Sequence, residues 1–191
     1  MRVVGGEAKG RRLRSTRSAE MRPTTDMARK TIFDILGDGV KDARVLDLFA
    51  GAGTLGIEAL SRGAREAVFV DSDRDACAII LQNLEATGLR AAGHIRRADV
   101  MRFLARAARM PFDLVFLDPP YGRGLGFVAR AVEKVVSGAW VGKHGIIVVE
   151  AQEGDVEWPP VVREFRTRQF GRTRVSMAVA DGDEGDIPRH V

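Results

Sequence analysis

From about residue 25 to residue 180, short apolar runs alternate with stretches whose apolar residues recur at helical spacing. That alternation is the signature of a parallel sheet with helices on both faces, a Rossmann-like α/β fold. Strands are predicted at 43–49 (ARVLDLF), 67–71 (AVFVD), 94–99 (HIRRAD), 113–118 (DLVFLD), 145–150 (GIIVVE), 162–170 (VREFRTRQF) and 174–180 (RVSMAVA). The last two are too close for a helical crossover and so predict an antiparallel hairpin at one sheet edge. Helical patterns cover 54–63 and 73–88, which finish at Gly63 and Gly88 as left-handed caps, and 127–137. A further helix is predicted over 26–36 (DMARKTIFDIL), capped by Thr24 or Thr25, with Met27, Ile32, Ile35 and Leu36 toward the core.

Composition bounds this picture. A chain of 191 residues with 45% hydrophobic content supports one catalytic domain plus an appendage. No window approaches the ~18 uninterrupted apolar residues of a membrane span, and the basic N-terminus lacks a secretory apolar core, so the expected location is the cytoplasm. The single cysteine, Cys77, excludes an internal disulfide or an iron-sulfur cluster and reads as helix packing within ACAIIL. His94, His144 and His190 form no ligand-spaced pair, so no metal is expected.

The net charge of +4 is unevenly distributed: residues 1–30 hold nine Lys or Arg against three acids, leaving the other 161 residues at −2. A cationic arm on a near-neutral body suits a polyanion, because Lys and Arg near phosphates release counterions and steer association. The other reading is a solvated tail. Three segments follow: a basic extension at 1–24, a catalytic domain at 25–180 and a polar, Gly-rich mobile tail at 181–191. Lys9, Arg11, Arg12, Arg14 and Arg22 are the arm's candidate phosphate contacts. With no aromatic anchor and little apolar surface, the arm is expected to order at least partly on binding.

Candidate chemistry begins where the first strand enters DLFAGAGTLGIEAL. Gly51, Gly53 and Gly56 satisfy G-x-G-x-x-G, a weak pattern strengthened by its place between a strand and a helix and by Asp71 twenty residues beyond Gly51. Asp71 can accept hydrogen bonds from both hydroxyls of a ribose. Asp47, four residues before Gly51, would repel a pyrophosphate and attract the ammonium beside a sulfonium, which favours S-adenosylmethionine over a dinucleotide. Asp99 is placed to meet the adenine amine. The candidate cofactor contacts are Asp47, Phe49, Ala50, Gly51, Gly53, Thr54, Asp71, Ser72, Asp99, Val100 and Asp118. Each acid could instead cap a turn, yet several acids at successive strand ends match where such folds bind ligands.

The tetrapeptide Asp118-Pro119-Pro120-Tyr121 carries the most information. Two prolines cannot continue a central strand, so the chain leaves the sheet at the edge that carries the glycine loop. An exocyclic amine conjugated to a base ring is a poor nucleophile, and acceptors for its N–H groups localise the nitrogen lone pair toward a methyl donor. Asp118 supplies a carboxylate and Pro119 a fixed carbonyl. Tyr121 can stack on an extruded base. An ordinary turn with a packed tyrosine is the bland alternative.

These residues resemble the bacterial small-subunit ribosomal RNA guanine-N2 methyltransferases of the class I superfamily, through RVVGGEAKGRRL, RPTTDMARKTIFDIL, VLDLFAGAGTLGIEALSRGA, FVDSD and DPPYG in that family's order. The resemblance implies a seven-stranded sheet with the last strand antiparallel, a small N-terminal β-hairpin that helps hold RNA, and monomeric action on 16S ribosomal RNA in an assembling subunit. Many relatives carry Glu where this chain has Asp71, whose shorter side chain keeps the ribose role. Arg123 is a further candidate phosphate contact, whereas Arg163, Arg166, Arg168, Arg172 and Arg174 divide evenly between phosphate contacts and a solvated edge strand. DNA adenine-N6 methylation shares the tetrapeptide chemistry. A nicotinamide oxidoreductase and a non-catalytic RNA-binding module rank below it.

Overall fold

The computed structural model describes residues 1–15, 26–120, 122–152 and 154–180. Thr24, Thr25, Arg22, Tyr121 and the tail at 181–191, all singled out above, lie outside the described residues.

Seven strands form one sheet in the order β3-β2-β1-β4-β5-β7-β6. They are β1 Arg44–Leu48, β2 Glu66–Asp71, β3 Gly93–Arg97, β4 Phe112–Leu117, β5 Val141–Gln152, β6 Val162–Phe170 and β7 Thr173–Ala180. All pairings are parallel except those of β7, which runs antiparallel to β5 and β6. The central strands read as near-continuous apolar runs because both their faces are covered. Val45, Leu114, Phe116 and Val148 pack with α1 (Asp26–Leu36), α2 (Thr54–Ser61) and α3 (Arg74–Thr87), while Leu46, Val115, Leu117 and Val149 pack with α5 (Leu125–Ser137). A short α4, Val100–Phe103, not foreseen from the pattern, starts where Asp99 Oδ1 accepts the Arg102 amide at 2.9 Å. β1 and β4 are neighbours while their connections run to opposite sides, so a crevice opens beyond their carboxyl ends.

Two expectations are corrected. Met27 is 74% exposed, and the buried face of α1 is made by Ala28, Arg29, Ile32, Phe33 and Leu36. Five residues separate Met27 from Ile32, a turn of about 140° away from that face. β5 begins four residues earlier than predicted, crossing a register shift against β4 between Phe112 and Leu114. The arm's residues 1–15 pack against the domain: Val3, Ala8 and Leu13 are buried, and Arg2 and Arg12 form one antiparallel bridge flanked by Val3 N to Arg11 O and Leu13 N to Met1 O, both 3.0 Å. Three small anchors suffice because the backbone itself docks. Ser61 Oγ donates to Gly5 O at 2.6 Å and accepts from Ala8 N at 2.9 Å, and Val4 N donates to Glu58 Oε2 at 2.8 Å.

Candidate active site

The loop after β1 turns tightly through residues of positive φ: Phe49 at 59°, Gly51 at 54° and Gly53 at 75°. Gly53 is the left-handed N-cap of α2, and a Cβ there would stand 3.2 Å from both Ile80 and Phe69. Phe49 holds the same backbone region without a glycine's freedom, a strain typical of residues fixed by a site. Asp71, at the end of β2, braces the loop: its Oδ2 accepts the Gly51 amide at 2.8 Å and its Oδ1 the Asp73 amide at 2.9 Å.

A cavity of about 330 Å³ opens beyond the strand ends, and four carboxylates line it: Asp71, Asp73, Asp99 and Asp118. Of the predicted cofactor contacts, Phe49, Ala50, Gly51, Thr54, Ser72 and Val100 also line it. Gly53 shapes the turn from behind. Asp47 requires correction: it is 2% exposed beneath the loop, away from the cavity wall, with Oδ2 accepting the Gly56 amide at 2.9 Å. Burial, reinforced by Asp118 and Asp71, pushes its carboxyl up to about 8. It therefore supports the loop and is not an exposed anion facing a ligand. The cavity's discrimination against a pyrophosphate falls instead to the four lining acids.

Asp118 and Pro120 of the tetrapeptide line the same cavity, whereas Pro119 between them does not. Sequence reasoning missed Phe127, in the first turn of α5, whose ring packs at a tilt of 57° against Phe49 at 5.8 Å between ring centres and lies beneath the Arg123 guanidinium at 5.1 Å. An aromatic at the start of the helix that follows the tetrapeptide was the available signal. Met1, Ala52 and Ala76 also line the cavity.

Among the arm's candidates, Lys9, Arg11, Arg12 and Arg14 are exposed and none lines the cavity. Arg11 reaches Ala86 O at 3.4 Å and Arg14 reaches Gln82 Oε1 at 3.0 Å, both on α3. Between arm and loop stands Asn83, buried on α3. Its Nδ2 donates to Arg14 O at 3.0 Å and to Ala52 O at 2.9 Å, and its Oδ1 accepts from Arg14 N at 2.8 Å. Cys77 is half-buried, and desolvation with nearby Asp71 pushes its thiol above the ordinary value, which leaves it a packed, protonated group at neutral pH. Among the described residues no cluster of three His, Cys, Asp or Glu could hold a metal ion.

With this geometry in hand, the family model described as Conserved hypothetical protein 95 matches residues 1–179. The chain belongs to this family. It is 37% identical over 152 residues to Ribosomal RNA small subunit methyltransferase D of Escherichia coli K12, covering 80% of this chain and 75% of the relative. It is also 37% identical over 183 residues to YlbH of Bacillus subtilis, covering 93% and 97%. The solved structure of yhhF from Escherichia coli superposes with a TM-score of 0.86 at 32% identity, covering 96% and 99%. As a member of the family, the chain is a methyltransferase with the class I fold.

Proposed function

We propose that this protein transfers a methyl group from S-adenosylmethionine to the exocyclic N2 amine of a guanine in 16S ribosomal RNA, acting as a monomer in the cytoplasm on an assembling small subunit. One observation carries the reading: Asp118 and Pro120 share a cavity with the glycine loop, with Asp71 at the end of β2 and with Asp99 just beyond β3. The donor set fits the cofactor. Asp71 is placed for a ribose diol, Asp99 and the half-buried Phe49 for adenine, and the surrounding carboxylates favour a ligand bearing sulfonium and ammonium charges.

When bound, the cofactor supplies an electrophilic methyl on a positively charged sulfur. Asp118 accepts a hydrogen bond from one amine N–H of the target base, and the Pro119 carbonyl accepts the other, which turns the nitrogen lone pair toward the methyl. Asp118 directly follows β4, a central strand packed on both faces, which fixes its placement. Tyr121 supplies the stacking face for the base. The Phe127–Phe49 pair closes one wall and excludes water from the reacting atoms. Arg123, over Phe127, meets the adjoining phosphate.

The test is tritium transfer from labelled S-adenosylmethionine to small ribosomal subunits lacking this methyl group, followed by nucleoside analysis, with naked RNA and duplex DNA as competing acceptors. The expected product is N2-methylguanosine, and Asp118→Asn is expected to lower kcat by about 10²-fold or more while S-adenosylhomocysteine still binds. Label in duplex DNA alone, or undiminished turnover in Asp118→Asn, would overturn the assignment.

A further inference from the structure

The outermost strand β6 pairs only with β7, and its sequence VREFRTRQF carries three arginines, Arg163, Arg166 and Arg168. In a regular strand Arg163 would face one side and Arg166 and Arg168 the other, because side chains alternate with period two. The strand is not regular. Glu164 pairs with Ala178 and Arg166 with Met177, so Phe165 is an extra residue, a β-bulge. The bulge resets the alternation, and Arg163, Arg166 and Arg168 stand opposite Val179, Met177 and Val175, a single row on one face. Two-residue steps along β7 set the rungs of that row about 7 Å apart.

Of the acids of this region, Glu150 on β5 lies opposite Val175 and is buried on the row's own face, two strands in from β6, whereas Glu164 falls on the other face. Glu164, whose carboxylate accepts from Trp158 Nε1 at 2.8 Å and Thr167 Oγ1 at 2.6 Å, lies opposite Ala178, and Ala178 packs in the cluster beneath α5. Arg174, with the parity of Ala178 and Ala180, pairs with Asp155 at 2.5 Å. The arginine row instead shares the face that carries α1 and the docked N-terminal arm, since Val175 and Met177 pack in one cluster with Phe33, Val3 and Leu13. Among the described residues none of the three arginines has a carboxylate partner. Among the described residues the Nε and Nη2 of Arg163 and the Nε of Arg166, like the Nε of Arg174 on the other face, are shielded from water with no hydrogen-bond acceptor. Arg168 is exposed and Arg163 and Arg166 are half-buried, so the accessible donors of the row are open to an external acceptor.

β6 runs parallel to β4, so the Arg168 end of the row lies at the same sheet edge as Asp118, three strand spacings or roughly 15 Å away. A ligand that fills the cavity and also satisfies the row must be extended and must carry several oxyanions. We propose that Arg163, Arg166 and Arg168 form a second docking surface for the RNA phosphate backbone, separate from the arm and aligned by the β-bulge. The proposal rests on the reading of the protein as an RNA methyltransferase. The row adds no base contacts: it sets affinity and register, while the cavity selects the base.

The experiment compares the full-length wild type with Arg163→Gln/Arg166→Gln/Arg168→Gln and with Arg174→Gln, titrating protein-free 16S ribosomal RNA by fluorescence anisotropy across a KCl series. S-adenosylhomocysteine binding is measured alongside by calorimetry. Three phosphate contacts predict that the slope of log K against log[KCl] becomes shallower by about 2 in the triple variant, with at least about a tenfold loss of affinity near 0.1 M salt. Arg174→Gln, on the opposite face, retains the wild-type slope, and all three proteins bind S-adenosylhomocysteine equally. An unchanged slope in the triple variant would overturn the proposal. So would a defect seen with protein-containing particles but not with naked RNA, which would assign the row to an acidic protein. Parallel loss of S-adenosylhomocysteine binding would assign it to folding. A wild type that binds no RNA at any salt would overturn the RNA-methyltransferase reading itself, and the row with it.

Discussion

Gly56→Ala tests whether the cofactor loop is held by close packing from below. Gly56 is the third residue of α2, and its amide donates to the buried Asp47. Taken alone, alanine in a helix interior gains about 1 kcal/mol over glycine. Here the added Cβ would lie 2.3 Å from Phe69 Cε1, 2.8 Å from Phe69 Cζ and 3.1 Å from Asp47 Oδ2. Phe69 sits fully buried on β2 between β1 and β3, so its ring cannot rotate into free space. Either the ring is forced off its rotamer or α2 moves outward. Overpacking of this kind costs about 1–3 kcal/mol, and with a backbone element displaced we place the cost near the top of that range, which outweighs the helix gain. The expected net loss is about 2 kcal/mol, or a fall in Tm of roughly 4–8 °C for a chain of this size. Because Gly53 caps α2, an outward shift of the helix also displaces Gly51 from Asp71. S-adenosylhomocysteine affinity is therefore expected to fall about tenfold, equivalent to about 1.4 kcal/mol. Gly88→Ala is the comparison: a Cβ there meets nothing within 4 Å, and only its positive φ of 78° opposes it, at about 1–2 kcal/mol. Thermal unfolding by circular dichroism and calorimetric titration read both variants. Gly56→Ala with wild-type Tm and wild-type affinity would refute the reasoning, as would an affinity loss of equal size in Gly88→Ala.

Asn83→Leu removes the amide that joins Arg14 to Ala52, and should weaken both S-adenosylhomocysteine and RNA binding while Arg11→Ala weakens RNA binding alone; hydrogen exchange at the Arg14 amide should rise in parallel. Asp47 holds its proton in the folded protein up to about pH 8 but releases it near 3.8 when unfolded, so its contribution to stability is greatest below about pH 4 and is lost as pH rises toward 8. Asp47→Asn keeps an acceptor for Gly56 and should flatten the fall in Tm between pH 5 and 8; an unchanged slope would count against a raised carboxyl. Glu58→Gln leaves the fully buried Arg29 without the carboxylate 3.8 Å from its Nε and weakens the hold on Val4, so unfolding free energy should drop by about 3 kcal/mol, measured by urea titration.

The linear chain alone sets the alternation of strands and helices, the glycine turn after β1 and the placing of Asp71, Asp99 and Asp118 at or just beyond strand ends, because these follow from period, punctuation and residue chemistry that need no partner. It also determined the β6–β7 hairpin, since nothing else fits between Phe170 and Thr173. The roles of single side chains across elements were decided by tertiary structure. Asp47 looks like a ligand acid in the chain, but Gly56 and Phe69 bury it beneath the loop. Met27 has the apolar character of a core residue, yet the helix turns it outward while Arg29 is drawn in by Glu58 and Asp26. The arm lacks the apolar content of a packed segment, yet it docks because Ser61, Glu58 and Asn83 meet its backbone groups, and backbone hydrogen bonds leave no trace in composition. The arginine row depends on a one-residue bulge, which only the pairing of β6 with β7 creates.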